Sequence, residues 1–373
     1  MPMTDIYLGL MSGTSADAID AVAVDFSNNT AALLGSHSKP LPPDIRAVIH
    51  RLASTGPDEI DLLGQLDVQM GELFAATVRE LIEKLGLSNQ TLTAIGSHGQ
   101  TLRHRPPGSL AHPFTLQVGD PNIIAEQTGI TTVADFRRRD MAVGGQGAPL
   151  VPAFHQAVFQ STTVNRAIVN IGGIANITWL PTSGEATGFD TGPGNVLMDA
   201  WIWQHHKKTY DDAGAWAASG TSDEQLLEAL LQHPFLFQTP PKSTGREEFN
   251  PAWLDTCLKQ YQCVRRPEDV QATLLAFTAR TITDQIKKIA EEGDMEVFLC
   301  GGGAYNDTLR QAIQDLMPRC PVATTAELGI APEWIEATAF AWLARQTLNR
   351  ESGNLCAVTG ARKPVILGGV YYV

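Results

Sequence analysis

Residues 6–26 read IYLGLMSGTSADAIDAVAVDF. Two apolar runs, Ile6–Met11 and Ala21–Phe26, flank the polar segment Ser12-Gly13-Thr14-Ser15-Ala16-Asp17-Ala18-Ile19-Asp20. Aliphatic residues bounded by glycine, serine and aspartate predict strand, turn and strand. A third strand, Ala31–Ser38, follows the Ser27-Asn28-Asn29 turn. Beyond it, Leu66, Met70, Phe74, Val78, Leu81 and Leu85 recur at helical steps, predicting a helix from Asp58 to Leu85 capped by Gly86. Short strands are expected near Leu92–Gly96, Phe114–Val118 and Thr131–Ala134.

The second half repeats that order. Ala167–Ile171, Asn176–Leu180 and Ala186–Phe189 read as strands joined by glycine-bearing turns. Helices are expected at Asn195–His206, at Ser222–His233 (Ser222 and Gln225 in a capping-box pattern) and from Pro267 to about Glu292. Strand Val297–Cys300, helix Asn306–Met317, strand Val322–Thr325 and helix Glu333–Leu348 complete the pattern. Two α/β lobes with mixed sheets follow, each an antiparallel meander extended by parallel strands through helical crossovers. The boundary is expected near residues 135–145, giving lobes 1–140 and 141–373, with the C-terminal tail free to return to the first.

Composition narrows the function. The 373 residues are 43% hydrophobic with 33 glycines, ordinary for a globular chain with material for two cores. A formal charge of −13 opposes phosphate backbones and anionic lipid, so neither nucleic acid nor a membrane surface is an expected partner. ATP remains admissible where local N–H donors or Mg²⁺ receive it. Cys257, Cys263, Cys300, Cys320 and Cys356 show no C-x-x-C spacing and read as free thiols of a reducing cytoplasm. The N-terminus lacks a signal-peptide pattern, and no apolar run approaches the ~18 residues of a membrane span.

Four segments punctuate the strand ends. The first, residues 12–20, offers backbone N–H groups and hydroxyls suited to a phosphate tail, and Asp17 and Asp20 could hold Mg²⁺; an ordinary polar hairpin is the alternative. The second, Asn170-Ile171-Gly172-Gly173-Ile174-Ala175-Asn176, lies at the equivalent point of the second lobe and reads either as a tight turn or, paired with the first hairpin, as half of a phosphate clamp. The third, Cys300-Gly301-Gly302-Gly303-Ala304-Tyr305-Asn306, suits close approach to adenine or ribose, or else a flexible link. The fourth, Gly188-Phe189-Asp190-Thr191-Gly192-Pro193-Gly194-Asn195, puts a carboxylate at a strand end, where it can serve as a general base or as a turn former. P-loop, Rossmann and protein-kinase signatures are absent.

Together these segments resemble the actin/hexokinase/heat-shock-chaperone ATPase superfamily, and within it the anhydro-N-acetylmuramic acid kinase family. The family opening GLMSGTS-x-D-G-x-D is similar to GLMSGTSADAID at Gly9 to Asp20. Gly96-Ser97-His98-Gly99-Gln100-Thr101, Ala134-Asp135-Phe136-Arg137-Arg138-Arg139-Asp140, Gly144-Gly145-Gln146-Gly147-Ala148-Pro149-Leu150, NIGGIAN, GFDTGPGN, Lys242-Ser243-Thr244-Gly245-Arg246-Glu247 and CGGGAYN follow in family order. One departure is Ala18 where the family has glycine; if that position needs positive φ, alanine costs about 1 kcal/mol.

The resemblance implies two ribonuclease-H-like lobes of the actin/hexokinase type, with an ATP and sugar cleft between them. It implies a cytoplasmic, Mg²⁺-dependent, homodimeric enzyme of peptidoglycan recycling. Such an enzyme converts 1,6-anhydro-N-acetylmuramate, ATP and water to N-acetylmuramate 6-phosphate and ADP. Asp190 is then the base. Gly13, Thr14, Ser15, Ala16, Asp17, Ala18, Ile19, Asp20, Gly172, Gly173, Asn176, Gly301, Gly302 and Gly303 are expected around the nucleotide. Gln100, Arg138, Gln146 and Glu336 are expected around the sugar, with Arg138 on its carboxylate or on a phosphate. Two other readings stand beside this one: an ATP-gated binding protein of the superfamily, and a kinase for another sugar in which a deprotonated hydroxyl attacks directly.

Overall fold

A computed structural model of the chain describes residues 5–13, 15–27, 30–260, 266–290 and 294–373. Thr14, Asn28, Asn29, Cys263 and Glu292 lie outside them. The chain divides into two units, Met1–Val158 with Trp334–Val373, and Phe159–Glu333.

The first unit is built on β1 (Ile6–Ser12), β2 (Ala18–Asp25), β3 (Ala32–Pro40), β4 (Ala94–Arg105), β5 (Phe114–Val118) and β6 (Thr132–Ala134). β1, β2 and β3 pair antiparallel, β4 pairs parallel to β1, and β6 parallel to β4. The order is β3-β2-β1-β4-β6, with the C-terminal strand Gly369–Tyr371 antiparallel on β6 and β5 on β4. Residues one pleat apart face opposite sides, so β1 buries Leu8 and Leu10 against the helix Glu59–Leu85. That helix contributes Leu66, Met70, Phe74, Val78 and Leu81, and ends at Gly86, whose φ of 61° lets its amide reach Glu83. On the other face, the helix Ile335–Leu348 lies on bare backbone. A methyl at residue 9 would sit 1.9 Å from the carbonyl oxygen of Ala337, and one at residue 96 would sit 1.9 Å from that of Phe340. Glycine at both positions is what lets the helix approach.

The second unit repeats the arrangement with β7 (Asn165–Ile171), β8 (Ile174–Leu180), β9 (Thr187–Pro193), β10 (Met295–Cys300) and β11 (Val322–Thr324). Its order, β9-β8-β7-β10-β11, matches that of the first unit: an antiparallel meander, then two parallel strands. The helix Pro267–Ile289 supplies Leu274, Phe277, Ile282 and Ile286 to its core. The chain is therefore α/β, built from two units that each have the ribonuclease-H-like strand order. Among the described residues no helix is long and apolar enough to cross a membrane.

Several elements differ from expectation. The strand expected at Leu92–Gly96 runs on to Arg105, which makes His98 and Gln100 strand residues. The helix expected at Ser222–His233 spans Glu224–Leu230; its cap is Asp223, which accepts from the amide of Leu226, and the Ser222 hydroxyl makes no hydrogen bond. The helix Pro43–Ala53 has no counterpart in the sequence reading.

Candidate active site

In the second unit, strand register aligns the polar residues. Asn170 pairs with Asn176, and Asn176 with Asp190, which puts the three side chains in one row on one face of β7, β8 and β9. The Asp190 carboxylate is held through one oxygen, Oδ2, which accepts from the Ser243 hydroxyl at 2.9 Å and the Thr244 amide at 3.0 Å. The Asp190 amide donates to the Lys242 carbonyl at 3.2 Å. Lys242 is buried, with its ammonium 4.6 Å from the centre of the Phe235 ring, and its pKa is pushed down to about 8 by that burial.

Burial pushes the Asp190 carboxyl above the ordinary aspartate range, against the two hydrogen bonds and the Lys242 charge. A raised carboxylate is a stronger base than an exposed one, which suits general-base work on water. A pH prediction follows. The base is competent when ionised, so the rate falls as pH drops through the Asp190 pKa. Ser243→Ala removes a donor to the charged form and raises that pKa. The acid limb of the kcat/KM profile therefore moves to higher pH while the alkaline limb stays; an unmoved acid limb would count against Asp190 as the base.

Glycine geometry separates the turns. Gly301, with φ of 75° and a Cβ position 2.3 Å from the Asn170 side chain, is required by the fold. Gly303 is too, its Cβ position lying 2.3 Å from Ile171. Gly13 and Gly302 have nothing within 4 Å and no positive φ, and Gly172 and Gly173 meet only ordinary contacts. At these four positions neither packing nor backbone demands glycine, as expected where a ligand comes close to main chain. Within the first turn Ser15 is exposed, whereas Ala16 is buried with φ of 53°. The left-handed alanine is thus Ala16; Ala18 begins β2 without positive φ, so its replacement of the family glycine brings no strain. Ile19 points into the core and offers only its main chain.

The first unit gathers a charged group around β2, β4 and the start of the helix Ile335–Leu348. Glu336 lies in that helix's first turn. Burial pushes its carboxyl up, Arg137 pulls it down and Asp20 adds to the rise by like charge. Arg137 is half-buried, and loss of solvent pushes its pKa down to about 10; it reaches the Gly147 carbonyl at 2.9 Å and His98 Nε2 at 2.8 Å. His98 Nδ1 donates to the Gly99 carbonyl at 2.7 Å, which leaves Nε2 as the acceptor for Arg137 and keeps the ring neutral. Gln100 is fully buried, accepting from Ser12 at 2.6 Å and donating to the Gly13 carbonyl at 3.2 Å, so it braces the first turn. Arg138 is 63% exposed and pairs with Asp135 at 2.9 Å. Gln146 is exposed and ties its amide to the Thr359 carbonyl at 2.7 Å. The sequence singled out Arg138 of the arginine run, yet Arg137 is the one beside Glu336; nothing in the run itself distinguishes them.

Asp17 is exposed and ion-paired with Arg46 at 2.6 Å, and Asp20 accepts from Ser38 at 2.7 Å. No cluster of three or more His, Cys, Asp or Glu side chains suited to a metal occurs among the described residues. Mg²⁺ is ordinarily carried by one or two carboxylates with substrate phosphates and water. Asp17 and Asp20 offer carboxylates of that kind within the 12–20 segment, so the donor set fits Mg²⁺ brought in with a nucleotide.

Known proteins bear on this geometry. The profile of the anhydro-N-acetylmuramic acid kinase family matches residues 5–373. The anhydro-N-acetylmuramic acid kinase of Saccharophagus degradans is 54% identical over 367 residues, covering 98% of each chain. That of Shewanella sediminis is 52% identical over 369 residues, covering 99% of each. A ROK family glucokinase from Streptomyces griseus, solved with glucose and AMPPNP, overlaps 91% of this chain and 99% of its own at a TM-score of 0.40 and 12% identity, too loosely to add to the assignment. Matched from end to end at more than half identity, the chain belongs to the anhydro-N-acetylmuramic acid kinase family of phosphotransferases.

Proposed function

We propose that the chain converts 1,6-anhydro-N-acetylmuramate, water and ATP to N-acetylmuramate 6-phosphate and ADP. The observation that carries this reading is the half-buried Asp190 carboxylate, with one oxygen fixed by Ser243 and Thr244 and its pKa raised. Asp190 takes a proton from water as the water oxygen bonds to the anomeric carbon. The bond from that carbon to O6 breaks, and its electron pair stays on O6. O6 then attacks the γ-phosphorus, and the bridging oxygen departs with ADP. Phosphorylation of the leaving oxygen replaces the general acid that a glycosidase needs.

The unforced glycines Gly13, Gly172, Gly173 and Gly302, with Thr14, Ser15, Ala16, Asp17, Ala18, Asn176, Gly301 and Gly303, are the proposed nucleotide contacts. Asp17 and Asp20 are the proposed carboxylates for Mg²⁺, which would neutralise charge on the transferring phosphoryl group. Glu336, with its raised carboxyl, is suited to a sugar hydroxyl, and Gln100, Arg138 and Gln146 are the further proposed sugar contacts. A homodimer acting in the cytoplasm during cell-wall recycling completes the proposal.

The test is turnover in oxygen-18 water, corrected for exchange of the free sugar. The expected product carries one heavy oxygen at the anomeric carbon and none in its phosphoryl group. Product without the label would replace bridge opening by direct attack of a sugar hydroxyl.

A further inference from the structure

Residues 242–247 touch two places at once. Ser243 and Thr244 hold the Asp190 carboxylate. Two residues on, Arg246 stands over the β7–β8 turn, where a methyl at residue 173 would lie 4.0 Å from its Nη2. Arg246 is exposed, and among the described residues its guanidinium makes no ion pair. The carboxylate nearest in effect is Asp199, on the helix Val196–His206. Burial pushes the Asp199 carboxyl up to about 7, against the attraction of Arg246, while Asp211 adds to the rise. Asp211 is itself occupied by the amides of Trp216 and Ala217 at 2.9 Å and by Gln271 at 3.2 Å, so it does not compete for the guanidinium.

An unpaired guanidinium beside a turn whose glycines the fold does not require has the chemistry of a phosphate clamp. Its planar fork of donors matches phosphate oxygens. We propose that Arg246 contacts the β- or γ-phosphate of the nucleotide at the Gly172–Gly173 turn. This rests on the nucleotide reading of that turn. The same short segment also holds Asp190, so the proposed clamp and the base are neighbours along one stretch of chain.

Calorimetric titration of Mg-ATP and of AMP into the native chain, Arg246→Ala, Arg246→Lys and Gly173→Ala tests this, with melting curves confirming folding. In Arg246→Ala the affinity for ATP is expected to fall by about tenfold or more, with AMP unaffected and the lysine variant intermediate. If Gly173→Ala weakens ATP while Arg246→Ala binds it like the native chain, the role of Arg246 is refuted and the nucleotide reading survives. If both variants bind ATP like the native chain, the turn is not the phosphate site and both fail together. Equal losses for ATP and AMP would also overturn the assignment, since AMP carries neither of the phosphates concerned.

Discussion

Asp190→Asn releases ADP in the presence of the anhydro sugar about a thousandfold more slowly than the native chain, while its affinity for ATP is unchanged. The amide is nearly isosteric and can still accept from Ser243 and Thr244 through its oxygen, so the geometry of β9 survives. What is lost is the lone pair that takes the proton. The carboxylate stands on the second strand-pair row with Asn170 and Asn176, and its local chemistry does not require the phosphate donors to move. Steady-state ADP release and ATP titration on one preparation separate the two effects. Turnover near the native level would remove Asp190 from the chemistry and with it the case for bridge hydrolysis.

The second large effect is on stability. Asp140 is fully buried at the end of the helix Phe136–Ala142. It accepts from the Gly147 amide at 2.8 Å, the Asn354 amide group at 2.7 Å and the Thr359 hydroxyl at 2.8 Å. One carboxylate therefore fastens residues 144–150 to the C-terminal segment, and it also faces the charge of Arg137. Asp140→Ala leaves three buried donors and a cation without their acceptor, at a cost of about 3–5 kcal/mol. The melting transition of the first unit drops by roughly 10 °C or more. Asp140→Asn, which retains one acceptor, falls between. A melting curve for the alanine variant that overlays the native one would show that the network contributes little.

What the sequence disclosed depended on whether the signal was local. β5 matches its expected span at both ends because its alternating residues are flanked by turn formers. The helix Pro43–Ala53 was hidden by its own start: Pro42 and Pro43 look like breakers, yet proline is welcome in the first helical turn. β4 was cut short because its far half is polar. His98 and Gln100 are buried there through partners distant in sequence, namely Arg137 with the Phe340 ring at 4.7 Å, and Ser12. The same division governs the site. Asp190 stood out in a distinctive strand end, whereas Ser243 and Thr244 reach it across more than fifty residues with no repeating pattern between. Consecutive helix positions point about 100° apart, so only one arginine of the 137–139 run could face inward, and composition cannot say which.

The discontinuity of the first unit sets an order for synthesis. Residues 159–333 form a continuous unit that can close as soon as it has left the ribosome, whereas the sheet begun by β1 must wait. Its missing layer is the helix Ile335–Leu348, the element for which Gly9 and Gly96 leave the backbone uncovered. The β1 segment, made before residues 159–333, is thus among the last to be sealed, and until then it shows a bare strip of strand to the cell. Factors that shield nascent chains have the most to do at the amino end of this protein, and a ribosome stalled before codon 334 would strand a finished second unit beside an open first one.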